Sequence, residues 1–191
     1  VKVKARYSLR LIDKAQEQDV QIAFIHNGAK SCNVALDDVP VHIEKEGPAT
    51  VEGLALEMKT YDPLTGEEYE ISHGMNRSAI ASFFTIHLEP GKTHSLVVEH
   101  TARSGWDEIR YVNPISHFTY YLRPAEKWAG FGNLSVTLRV PWGYRVVTSL
   151  DGKLQRESPG VLRGTLKGLP NNDLHISLMS GSGMLPGIAT R

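Results

Sequence analysis

The 191 residues predict an all-β chain, an antiparallel β-sandwich built as one large or two small sandwich-like domains. Apolar residues recur at every second position through most of the chain. Gly, Pro, Asn and Asp cut that alternation into roughly a dozen short runs, spaced about 8–12 residues apart. Helical spacing is nearly absent: Leu11 to Gln18 and a turn around Pro124 to Trp128 are the only helical candidates, and neither carries a long 3.6-residue stripe.

The runs follow in order. Val1, Val3, Ala5, Tyr7, Leu9 and Leu11 alternate with Lys2, Lys4, Arg6, Ser8 and Arg10, a strand with one wet face. Asp19 to His26 forms a second strand, ended by the turn dipeptide Asn27-Gly28. Cys32 to Leu36 and Val39 to Ile43 flank Asp37-Asp38 and read as a hairpin or tight corner. Thr50 to Tyr61 is β-like, and Asp62-Pro63-Leu64-Thr65-Gly66 is a turn by its chemistry. Ile80, Ser82, Phe84, Ile86 and Leu88 share one strand face. Glu89-Pro90-Gly91-Lys92 then turns the chain, and Leu96, Val98 and His100 lie on what reads as the returning strand of a hairpin.

The alternation lapses from Gly105 through Trp106 to Asn113-Pro114. This lapse sets the expected domain line: an N-terminal β-sandwich domain over 1–108, a C-terminal β domain over 109–180 and a flexible tail over 181–191. Strands resume at Phe118, Tyr120 and Leu122. Leu134, Val136, Leu138 and Val140 alternate most cleanly. Tyr144 to Leu150 leads to the turn signal Asp151-Gly152, and Val161 to Leu166 and Leu174 to Leu178 complete the series.

The stretch from Phe118 to Pro141 has a Tyr-x-Leu strand, the loop residue Trp128, a glycine corner at Gly130 and Gly132, and an alternating strand ending in proline. It resembles a pattern in uncharacterised exported bacterial β-sandwich domains, and Tyr7-Ser8-Leu9 followed by Val20 to Phe24 is compatible with that architecture. The resemblance covers about a third of the chain and rests on structural motifs. It implies an immunoglobulin-like, extracytoplasmic or secreted setting and transfers no catalytic residue.

Composition narrows the function. Lys and Arg number 21 against 21 Asp and Glu, so no net field draws the chain to nucleic acid or an anionic membrane. No apolar run approaches the roughly 18 residues of a membrane span. The single cysteine, Cys32, reads as a buried apolar filler. Gly91-Lys92-Thr93 ends like a phosphate loop, but its earlier glycine is replaced by Ile86 and a strand follows. His94 and His100 share a strand face and His87 falls across the expected hairpin, an arrangement weighed for zinc against separate histidines, with the latter favoured. Ser72-His73 and Ser116-His117 are adjacent in sequence, and adjacent strand residues point to opposite faces. Asp37-Asp38, Glu67-Glu68 and Asp107-Glu108 read as solvated turn residues, and Asp62 with Glu67 as a weak calcium pattern.

No catalytic centre, cofactor or metal is therefore expected. The expected role is a non-catalytic structural or protein-interaction module, whose partner is another protein or other domains of the same polypeptide. The alternative is a carbohydrate-binding or carbohydrate-active domain. Its ligand platform would be Trp106, Trp128 and Trp142, since aromatic faces stack on sugar rings.

Overall fold

A computed structural model describes residues 1–12, 16–27, 32–49, 59–69, 79–102, 104–107, 114–150 and 152–180. In chain order the strands are β1 (Lys2–Leu9), β2 (Gln18–His26), β3 (Asn33–Leu36), β4 (Val39–Val41), β5 (Lys45–Pro48), β6 (Thr60–Tyr61), β7 (Glu68–Tyr69), β8 (Ile80–Leu88), β9 (His94–Thr101), β10 (Gly105–Asp107), β11 (Ile115–Tyr120), β12 (Asn133–Arg139), β13 (Tyr144–Thr148), β14 (Gln155–Ser158), β15 (Val161–Lys167) and β16 (Leu174–Ser180). The chain is nearly all β, and among the described residues every strand pair is antiparallel. Among the described residues the only helix is one 3-10 turn, Arg123–Lys127, where Pro124 sits at the first turn as its fixed φ favours. No helix there is long and apolar enough to cross a membrane.

The chain divides into two compact units. The first joins Val1–Ala55 to Asn76–Arg103, and the second joins Leu56–Met75 to Ser104–Arg191. Of the described residues, 59–69 group with the second unit. Alternation marks strands but carries no information on which unit a strand joins. The expected tail 181–191 and the run 50–58 lie outside the described residues.

Among the described residues the first unit holds two sheets, ordered β1-β9-β3-β4 and β2-β8-β5. Their most buried side chains include Phe84 and Ile86 from β8 and Leu96 and Val98 from β9. Side chains of the two sheets meet where the Phe24 and His26 rings approach His100, at 5.6 and 5.1 Å between centroids. The β3–β4 connection is a two-residue hairpin: Asp37 and Asp38 have φ of 49° and 66°, the left-handed region that short Asx side chains tolerate best after glycine. The Asp37 carboxylate accepts from the Ser95 N–H at 2.8 Å and meets His94 Nδ1 at 2.8 Å, anchoring the turn to β9.

The expected hairpin across Glu89-Pro90-Gly91-Lys92 does not form. β8 pairs with β2 and β5, and β9 pairs with β1 and β3, so this turn carries the chain from one sheet to the other. Both strands bury their apolar faces either way, so the alternation is the same in the two arrangements. The segment after β13 behaves similarly: β13 bonds to β16, and the hairpin that follows is β14–β15. That hairpin closes on Pro159-Gly160. Gly160 has φ 74°, and a Cβ there would meet the Val140 carbonyl oxygen at 2.5 Å.

The second unit holds sheets ordered β10-β11-β16-β13 and β12-β15-β14, with the short β6–β7 ribbon. Here polar side chains enter the core. His117, Thr119 and Ser177 are as deeply buried as Ile115.

Candidate functional site

Polar groups buried on strands need partners, and among the described residues each unit contains a cluster of them. In the second unit, β11 and β16 place His117 opposite Ser177 and Thr119 opposite His175. His117 Nδ1 meets Ser177 Oγ at 3.0 Å and His117 Nε2 meets the Tyr69 hydroxyl at 3.2 Å. His175 Nδ1 meets Thr119 Oγ1 at 3.0 Å. The segment leading into β6 then bonds to these side chains: the Tyr61 N–H donates to Ser177 Oγ at 3.0 Å and the Lys59 N–H to His175 Nδ1 at 3.4 Å. Alternate backbone donors thus meet alternate side chains, and the cluster is woven into the backbone.

At one end of β16, Asp173 Oδ1 accepts from the Leu122 and Arg123 N–H groups at 2.7 and 2.9 Å, holding the start of the 3-10 turn. Ser177 lies beside a histidine, as a nucleophile would, but it is wholly buried and shared with a backbone donor. Its chemistry is structural.

The first unit's cluster is built differently. Ser82 lies on the inward, otherwise apolar face of β8, opposite Phe24 on β2 and Glu46 on β5. Its hydroxyl donates to Glu46 Oε1 at 2.8 Å and meets His26 Nε2 at 2.9 Å. Cys32, just ahead of β3, brings its thiol to the same point: one ligand atom each from His26, Cys32 and Glu46 lie within 4.8 Å of one another. His26 and Cys32 are buried and Glu46 is exposed.

Two ring nitrogens in this neighbourhood, His26 Nδ1 and His100 Nδ1, are buried without a hydrogen-bond partner. Burial pushes the His26 imidazole below its ordinary pKa, with the Glu46 carboxylate opposing. His100 is pushed down to about 4 by burial, the His26 ring and the N-terminal ammonium. Burial pushes the Cys32 thiol up; its hydrogen-bond contact with Ser82 opposes this and the Glu46 charge adds to it. Both rings are therefore neutral and the thiol protonated near neutral pH. A protonated, buried thiol is a poor nucleophile. The group is a convergence of sulfur, nitrogen and oxygen donors.

The histidines weighed for zinc are not brought together. His87, on β8, is exposed and pairs with Asp19 at 2.9 Å and Glu17 at 3.5 Å, which raises its pKa. His94 is buried against Asp37 and accepts from the Glu89 N–H at 3.0 Å. Only His100 reaches the cluster: His87 is on β8 in the other sheet, and His94 stands at the opposite end of β9 from His100. Cys32 is buried as expected, but its surroundings include Ser82 and the Glu46 charge as well as apolar side chains. Asp62 Oδ1 accepts from the Leu64 N–H at 2.8 Å within its own turn, a local role that needs no calcium. Ser72-His73 and Glu108 lie outside the described residues.

The three tryptophans part company. Trp142, in the turn before β13, is 86% exposed. Trp128 is 37% exposed, with its ring 6.3 Å from Phe131. Trp106 pairs through its backbone with Ser116, and its ring lies outside the described residues. The sequence signal for the first-unit cluster was a serine on an apolar strand face. Cys32 and Glu46 carried none, being 6 and 20 positions from His26 with no motif between. No family model matches the chain, and no curated protein or solved structure does.

Proposed function

We propose that the chain is a non-catalytic β-sandwich module that docks another polypeptide, with Trp142 as the anchor and the outer edge of β13 as the template. The observation that carries this reading is the exposure of Trp142 at the head of an edge strand. Among the described residues, β13 bonds only to β16 and ends its sheet. A large aromatic held in water next to unpaired backbone donors and acceptors has the makeup of a strand-addition site: the ladder supplies affinity and the ring supplies a hot spot. Stacking of the first unit's two sheets as a sandwich is supported by the ring contacts of His100 with Phe24 and His26. The extracytoplasmic setting rests on the resemblance of 118–141 alone.

A second reading, a carbohydrate platform, is favoured by the same ring, since an exposed indole face stacks on a sugar. One experiment separates the two. A displayed library of random extended peptides is panned against the protein, and a soluble glycan panel is run by thermal shift. Docking predicts enriched peptides that lose at least about tenfold in affinity on Trp142→Ala, the scale of a hot-spot aromatic. No peptide enrichment, together with a glycan that raises the midpoint of wild type but not of Trp142→Ala, would replace docking with sugar binding.

A further inference from the structure

We propose that the first unit carries a site for one divalent transition-metal ion of borderline softness, Zn²⁺ or Co²⁺, held by Cys32 Sγ, His26 and Glu46. The three ligand atoms already lie within 4.8 Å of one another without an ion. Around tetrahedral zinc such atoms stand about 3.3–3.8 Å apart, from metal–ligand lengths near 2.0–2.3 Å, so closure takes movements of about an ångström. The donors come from three places in the chain: the end of β2, the entry to β3, and β5. Hence no short-range motif announces them.

Three features suit a cation. First, the ligand charges balance it: thiolate and carboxylate cancel a divalent ion, and a neutral imidazole adds none, so the occupied site is uncharged where burial penalises charge. Second, the group is not closed on itself. His26 is 2% exposed with Nδ1 unpartnered, and the adjoining His100 Nδ1 is unpartnered too, unlike the usual buried polar atom. Third, the group lies near the surface, since Glu46 is exposed while His26 and Cys32 are not. Ser82 Oγ, which now bonds both Glu46 and His26, would become an outer partner that orients the carboxylate. Mixed sulfur and nitrogen donors select zinc-like ions over calcium or magnesium, which take all-oxygen sites.

The test is a Co²⁺ titration of the EDTA-stripped full chain under reducing, oxygen-free conditions. The expected result is one ion per chain and a thiolate-to-cobalt charge-transfer band in the near ultraviolet. The chain has one cysteine, so the band reports Cys32. Cys32→Ser abolishes the band. Glu46→Gln, a change at an exposed side chain that leaves the core intact, keeps the band but weakens binding at least about tenfold, since losing a ligand costs no less than losing an outer-shell partner. His87→Gln dismantles the surface group with Asp19 and Glu17 and changes neither quantity. Absence of the band in wild type, undiminished affinity in Glu46→Gln, or loss of binding in His87→Gln would each overturn the proposal.

Discussion

The two units bury the same kinds of side chain, histidine and serine on neighbouring antiparallel strands, and finish them in opposite ways. Around His117 and His175 the partners are a tyrosine hydroxyl, a threonine and the backbone donors of residues 59 and 61. Around His26 the serine hydroxyl reaches a carboxylate and a thiol converges beside it, while two ring nitrogens have no partner. The bonds of the first arrangement tie side chains to one another and to the backbone of residues 59 and 61. The second retains capacity near the surface. A buried polar atom left without a partner calls for an explanation, and a bound ion or water is one of them.

The largest effect is expected at Ser177. Ser177→Ala strands both the Tyr61 N–H and His117 Nδ1, and each orphan costs about 1–3 kcal/mol, so the second unit loses roughly 2–6 kcal/mol by urea denaturation. A loss below about 1 kcal/mol would mean that water repairs the gap and that the two clusters do not differ in kind.

Acid comes next, acting on the first unit in EDTA-treated protein. Unfolded, an imidazole takes a proton near pH 6.5, whereas folded His100 resists until about pH 4. Between those values the unfolded chain binds more protons. The stability gained by burying a neutral ring is therefore full above about pH 6.5 and declines as pH falls to about 4. Calorimetry on His100→Leu should show a flatter decline; an unchanged slope would place the sensitivity elsewhere.

A smaller cost is expected for Ser82→Ala in stripped protein, about 1–2 kcal/mol. It strands His26 Nε2, while exposed Glu46 turns to water. A loss exceeding that of Ser177→Ala would reverse the comparison. Smallest of all, Trp142→Ala should leave the denaturation midpoint nearly unchanged, within about 0.5 kcal/mol, because the ring is in solvent. A larger loss would mean that the indole supports the fold rather than a partner.

Much of this architecture was legible as pattern. The alternation at Val3, Ala5 and Tyr7 marked β1, and Asp37-Asp38 marked a hairpin that forms with both residues at positive φ. Ser82 was legible on the face of Phe84 and Ile86, and that face is buried. The Glu89–Lys92 turn was legible as a turn but not as a sheet crossing, and the bonding of residues 59–61 to β16 left no trace in the run 50–61.

Which residues face inward is written locally in the chain, because side chains alternate along any extended strand and water sorts them there. Which strands bond to one another, and so whether Cys32, His26, Ser82 and Glu46 meet, is settled by the fold. Those choices depend on contacts between residues far apart in the chain, which a period of two cannot encode.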